Sequence, residues 1–150
     1  MQLRQVDHSA LRVTQVFTIV LLLVAFIVNA PWLAAAVAIL NAIAALNPAF
    51  SLPRRIYLDL LRPAGLVKPH VIEDNPEPHR FAQGMGGSVL VLASLAFLAN
   101  LAVLGWALTW VVIALAALNL FAGICVGCMM YYWFNRLGVP GFRRSPIQRG

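Results

Sequence analysis

At 150 residues the chain holds one domain, yet 61% of it is hydrophobic and only 11% charged. Soluble domains carry about 25% charged residues, and the mean hydropathy of +0.82 points the same way. Residues 13–53 and 81–135 contain no Asp, Glu, Lys or Arg. Each block exceeds twice the ~20 residues that cross a hydrocarbon core. The composition therefore excludes a soluble domain and predicts two pairs of membrane spans.

In chain order, residues 1–12 form a polar opening with Arg4 and Arg12, and a first span covers 13–29. Asn29-Ala30-Pro31 turns the chain, because proline suits the first turn of a helix and fits poorly inside one. A second span covers 31–50. Residues 51–80 form a cytoplasmic segment whose first part, 54–62, is basic and amphipathic. Ile56, Tyr57, Leu60 and Leu61 share one face there, as in a helix lying among lipid headgroups. Residues 63–78 are rich in proline and charge and read as loop. A third span covers 81–100, a turn falls around Gly105, a fourth span covers 106–134, and 135–150 form the tail.

The net charge of +6 is distributed in a way that requires no nucleic acid. All 11 basic residues lie in 1–12, 51–80 and 135–150, which four spans put on one side, and the two hairpin turns carry none. The positive-inside rule then places both termini in the cytoplasm. Trp32, Trp106 and Trp110 near the outer turns, with Tyr57, Tyr131, Tyr132 and Trp133 near the inner ends, form the two aromatic belts of a membrane bundle. A cleavable signal peptide is not expected. The predicted architecture is all-α: an integral membrane four-helix bundle of two helical hairpins joined by a cytoplasmic loop, with the lipid bilayer as its first partner. Ala44-Ala45-Leu46-Asn47 recurs as Ala116-Ala117-Leu118-Asn119, a hint of duplication.

Cys125 and Cys128 are the only cysteines and the most pointed chemical feature. Three residues apart in the fourth span, they share a helix face in the cytoplasmic half of the membrane. One reading is a candidate catalytic dithiol for redox or sulfur handling. The other is packing, since free cysteine behaves as a small hydrophobe. A mid-helix disulfide would be strained, and cytoplasmic thiols stay reduced. An interior helical position also lacks the helix N-terminus that activates thioredoxin-type cysteines. Gly123 and Gly127, opposite Gly84, Gly86 and Gly87, predict close packing of the third and fourth spans at this level.

His79, Arg80 and Gln83 stand at the mouth of the third span as candidate supporting groups, with Glu73, Asp74 and Glu77 just before them. A soft-metal site is a minor alternative, with copper(I) held by thiolate and by Met85, Met129 or Met130. Two Cys and one His fall short of the four ligands of a closed zinc site. Asn29, Asn41, Asn47, Asn100 and Asn119 are amides suited to interhelical hydrogen bonds. No Asp, Glu, Lys, Arg or His falls within a span, which argues against a proton-driven pump. No motif specifies a cofactor.

The segments Gly123-Ile124-Cys125-Val126-Gly127-Cys128-Met129-Met130-Tyr131 and Glu77-Pro78-His79-Arg80-Phe81-Ala82-Gln83 resemble a family of small bacterial membrane proteins filed as a domain of unknown function. Val6-Asp7 and Leu61-Arg62-Pro63 fit as well, so the likeness runs from about Val6 to Gly138. It implies a four-helix protein of the bacterial inner membrane whose two motifs belong together, without an activity. A looser likeness is to thiol oxidoreductases of the vitamin K epoxide reductase type, four-helix bundles with a Cys-x-x-Cys in the last helix. Their pair faces the outer side, whereas the charge pattern turns Cys125 and Cys128 toward the cytoplasm. Two functions remain: a membrane thiol protein, served by a cytoplasmic thiol partner, and a non-catalytic accessory subunit of a larger membrane assembly.

Overall fold

The computed structural model describes residues 4–74 and 76–140. A short strand β1 (Arg4–Asp7) precedes α1 (His8–Val28) and α2 (Pro31–Leu46). A 3-10 turn (Pro48–Phe50) leads to α3 (Leu52–Ile56), which continues as a π-helical turn (Tyr57–Leu61). Strand β2 (Val71–Asp74), α4 (Pro76–Leu98), α5 (Ala102–Ala122) and α6 (Val126–Arg136) follow. Arg143, Arg144 and Arg149 of the tail lie outside the described residues.

Three helices, His8–Val28, Glu77–Leu98 and Ala102–Ala122, are long and apolar enough to cross a membrane, and Pro31–Leu46 is a shorter apolar helix. The chain is by these measures a multi-pass membrane protein. Its outer surface carries large bare side chains, such as Val103 at 86% and Phe121 at 84% exposure. Water would penalise that surface and lipid tails would not.

α1 packs on α2 and α5, and α4 packs on α2 and α5. Their shared core holds Leu22, Val37, Leu90, Val112 and Ile113. Small residues set the spacing: a Cβ added to Gly87 would meet the Ala42 nitrogen and the Asn41 Cβ at 3.4 Å, so α2 and α4 touch nearly backbone to backbone.

Both helical turns use one device. Asn29 takes the left-handed conformation (φ 55°), its N–H donates to Phe26, and Ala30 N–H donates to Ala25. Asn100 (φ 61°) repeats this, with bonds from its N–H to Phe97 and from Leu101 N–H to Ala96. This closure satisfies the last carbonyls of each helix. Pro31 then opens α2 as expected. The second turn lies at Asn100, not around Gly105. Gly105 sits inside α5, where a Cβ would come within 2.6 Å of the Phe97 ring, so its lack of a side chain serves packing.

Four further expectations need correction. The single helix expected over 106–134 is two helices, because Gly123 takes a left-handed φ of 69° and ends α5. The second helix ends at Leu46, with Asn47 extended, rather than at residue 50. The segment 63–78, expected as loop, contains β2 and the start of α4, and β2 pairs antiparallel with β1 in the register Asp7↔Val71. The all-α body thus carries a two-stranded ribbon. In the segment 54–62 the apolar face also divides: Tyr57 is wholly buried while Leu60 is 65% exposed.

Asp7 ties these parts together. Its carboxylate accepts Ser9 N–H (2.9 Å), capping α1, as well as the Tyr57 hydroxyl (2.9 Å) and His70 N–H (3.3 Å). Ser9 Oγ donates to the Lys68 carbonyl (2.7 Å). One carboxylate thereby holds the start of α1, the π-helical turn and the end of the loop.

Asn29→Ala and Asn100→Ala should each lower stability by about 1–2 kcal/mol, the left-handed penalty of a β-carbon, while Gly at either site is tolerated; melting in detergent measures both. Burial, then the hydrogen bond to Asp7, raises the Tyr57 pKa above its ordinary 10.0. An unfolded tyrosine ionises first, so this contribution is complete below about pH 10 and is lost as pH rises through the folded pKa. The melting temperature of the wild type should fall more steeply above pH 10 than that of Tyr57→Phe.

Candidate functional site

The break after α5 changes the setting of the two cysteines. Gly123 N–H closes α5 on Asn119 (3.1 Å), and Cys125 is extended (φ −90°, ψ 101°). Cys125 is thus the N-cap of α6: Cys128 N–H donates to its sulfur at 3.2 Å, and Met129 N–H donates to its carbonyl at 3.0 Å. The pair expected in mid-helix opens a new helix. The two sulfurs are joined in a disulfide, with Cα atoms 5.1 Å apart, within the ordinary disulfide range. The expectation against a mid-helix bond does not apply, because the first cysteine is not helical. A helix N-terminus also favours negative charge on a sulfur placed there.

α6 is fixed against α4 by very close contact. A Cβ added to Gly127 would stand 2.5 Å from the Ala82 Cβ and 2.6 Å from its Cα. Glycine is required because backbone lies opposite. Tyr131, one turn further on, packs its ring against Phe81 at 5.8 Å and donates its hydroxyl to Glu77 (2.7 Å). Met129 and Trp133 on the far side are exposed.

This contact decides where the sequence-predicted residues go. His79 lies three residues before Ala82 on the same face of α4, and its Nδ1 is 3.6 Å from the Cys128 sulfur, which is 7% exposed. Cys125 is half-buried. Gln83 donates to the Asn41 side-chain oxygen at 3.4 Å. Arg80 turns to α2, where its guanidinium donates to the carbonyls of Ala45 (3.0 Å) and Leu46 (2.7 Å). A cation there answers the negative end of the α2 dipole. His79, Gln83, Cys125 and Cys128 therefore form one locus, and Arg80 serves the helix end beside it.

Two residues that the sequence did not single out join this locus. The His8 ring stands edge-on to His79 (5.8 Å) and to His70 (6.2 Å), so all 3 histidines of the chain converge. His8 and His70 arrive through the ribbon, where His8 N–H donates to the His70 carbonyl at 2.9 Å. No local signal marks that pairing, since the partners are far apart in sequence.

A cavity of about 130 Å³ opens beside Cys125 between α1, α2, α4 and α5. Its walls are apolar (Leu11, Val89, Val112, Leu115), with neutral polar groups from Gln15, Thr18, Asn41, Gln83 and Asn119. Among the described residues no Asp, Glu, Lys or Arg lines it. His79 and Cys125 stand on its wall. His79 and the two cysteines bring their ligand-type atoms within 4.8 Å of one another. With the disulfide reduced, that is a three-donor set for a soft ion, one short of a closed tetrahedral site. Met85 lines the cavity, whereas Met129 and Met130 are exposed and offer it no sulfur.

No curated protein and no solved structure matches the chain, so the likeness to vitamin K epoxide reductase-type enzymes finds no support. The model of the family described as Domain of unknown function (DUF4395) matches residues 6–136, from the strand before α1 through the last residue of α6. With both the His79 segment and the Cys125–Cys128 pair inside that match, the chain belongs to the DUF4395 family.

Proposed function

We propose that this protein is a membrane dithiol–disulfide redox protein, a four-helix bundle of the bacterial inner membrane with both termini and the Cys125–Cys128 end of its helices toward the cytoplasm. The observation that carries this reading is the disulfide at the start of α6 with His79 beside its buried sulfur. The confinement of all 11 basic residues to 1–12, 51–80 and 135–150 supports the orientation.

In the reduced state Cys125, the more exposed sulfur at the N-cap, acts as nucleophile. Its thiolate attacks a sulfur of a partner disulfide, forming a mixed disulfide and releasing one partner thiolate. Cys128 gives its proton to His79 and then displaces the second partner sulfur. A partner disulfide and the protein dithiol become a partner dithiol and the Cys125–Cys128 disulfide. The reverse direction uses the same steps. Burial of Cys128 keeps it for the internal step, which is the usual division of labour in a Cys-x-x-Cys pair.

The decisive measurement is a redox titration of the purified full chain with dithiothreitol, followed by alkylation mass shifts. Two thiols should appear and disappear together. Cys125→Ser should abolish exchange, Cys128→Ser should trap the mixed disulfide on Cys125, and His79→Phe should slow its resolution by about 100-fold. Inert cysteines with larger subunits co-purifying would sink the reading and favour an accessory subunit. Soft metal bound stoichiometrically by the reduced protein, and lost in Cys125→Ser, would favour the metal alternative.

Gly127→Ala provides a separate check on the geometry. Overpacking against the Ala82 backbone should cost about 1–3 kcal/mol and slow the exchange, by moving Cys128 away from His79. Ala82→Gly in the same chain should restore part of both, as read by melting and by exchange rate.

A further inference from the structure

We propose that the cavity beside Cys125 binds the ring of an uncharged, membrane-dissolved quinone, which takes the electron pair of the Cys125–Cys128 dithiol. This rests on the thiol reading above and adds the partner on the lipid side.

Size sets the first limit. The cavity of about 130 Å³ is close to the ~150 Å³ of an apolar cavity known to hold benzene. A single six-membered ring fits, and a longer tail must leave between helices.

Lining sets the chemistry. Leu11, Val89, Val112 and Leu115 supply apolar walls, and amides from Gln15, Gln83 and Asn119 reach the same space. No carboxylate, ammonium or guanidinium of a described residue lines it, so a charged ligand would be buried without a counter-ion. A side-chain amide has N–H donors and a carbonyl acceptor. It can donate to the carbonyl of a quinone and accept from the hydroxyl of the quinol, so the same residues satisfy both redox states.

Position sets the reaction. The cavity lies among helices long and apolar enough to cross a membrane, with Cys125 on its wall. A lipid-soluble ligand therefore reaches the sulfur without passing through water. When the dithiol closes to the disulfide, one S–S bond forms and two electrons and two protons leave. The two quinone carbonyls take them and become hydroxyls, so atoms and electrons balance.

The test uses tetramethyl-1,4-benzoquinone, whose fully substituted ring resists thiol addition, on the full chain in detergent. Its methylated hydrocarbon counterpart, 1,2,4,5-tetramethylbenzene, is the control of equal shape. Equilibrium dialysis should show saturable binding of the quinone at least about tenfold tighter than the hydrocarbon, the effect of one well-made hydrogen bond. Asn119→Leu should weaken it by about tenfold, and Asn119→Gln should retain part of it. Gln83→Leu is the second variant, should Asn119→Leu not fold. Reduced protein freed of dithiothreitol should convert one quinone to its hydroquinone for each disulfide re-formed.

Absence of saturable binding, equal binding of quinone and hydrocarbon, or insensitivity to both substitutions overturns the proposal. Binding without disulfide formation overturns it too. In that case exchange with dithiothreitol in the same sample separates the failures: if exchange proceeds, the quinone step alone is wrong, and if it fails, the thiol reading has failed.

Discussion

The contact between α6 and α4 at Gly127 and Ala82 is the constraint on which the candidate site depends. With backbone less than 3 Å from where a Cβ would be, α6 can approach α4 only because residue 127 has no side chain. That approach puts Cys128 within 3.6 Å of His79. It also requires the chain to change direction after α5, since a continuous helix would carry the cysteines onward along the α5 axis. Gly123 allows the change by taking a left-handed φ, and Cys125 then satisfies an open N–H of the new helix with its own sulfur. The break, the cap and the close contact are one arrangement seen at three places.

The two helical hairpins resemble each other in construction and differ in how they end. Both turn on an asparagine in the left-handed conformation with the same pair of backbone bonds. Both continue from the second helix into a short helix rich in aromatic or large apolar residues, α3 with its π-helical turn and α6. At the end of α2 the open carbonyls are met by Arg80 from the other hairpin. At the end of α5 they are closed by Gly123, which leaves the next segment free to build the site. The repeat of Ala-Ala-Leu-Asn at 44–47 and 116–119 falls at these equivalent ends. Asn47 caps by bonding Ala49 N–H through its side chain (3.0 Å), whereas Asn119 lines the cavity.

The cavity beside Cys125 carries polar groups, and among the described residues no Asp, Glu, Lys or Arg lines it. His79, amides and hydroxyls gather where four helices meet, while the Arg80 guanidinium is held by α2 carbonyls and Glu77 accepts from Tyr131. In a region largely shielded from water, neutral groups orient a ligand or carry a proton at far lower desolvation cost than ions. The Asp7 network sits at the same end of the molecule and anchors the ribbon that delivers His8 and His70. Among the described residues, the end that holds the candidate site also carries the long-range hydrogen bonds of Ser9, Tyr57, Arg80 and Tyr131.

Much of this was legible in the residues. Two long charge-free blocks and the turn at Asn29-Ala30-Pro31 follow from local rules, because helix length, turn chemistry and the distribution of charge are written along the chain itself, whereas the second turn falls at Asn100 and not around Gly105. Of the glycines at 84, 86, 87, 123 and 127, expected to pack the third and fourth spans together, only Gly127 does so, against Ala82; Gly84 and Gly87 face α2, and a Cβ at Gly86 or Gly123 would meet nothing within 4 Å. Hydrophobicity could not reveal the interruption at Gly123, since residues on both sides of it are apolar and a single glycine is tolerated inside a helix. Whether that glycine bends the chain depends on what α6 gains against Ala82, Phe81 and Glu77, residues more than forty positions away. The ribbon and the meeting of His8, His70 and His79 have the same origin: they are pairings across sequence distance, with no periodic trace. The sequence by itself determined the helices, the apolar surface and the presence of a thiol pair. Only the tertiary structure decided that the pair begins a helix, bonded and facing a histidine, because that setting comes from the close approach of two elements that do not adjoin in the chain.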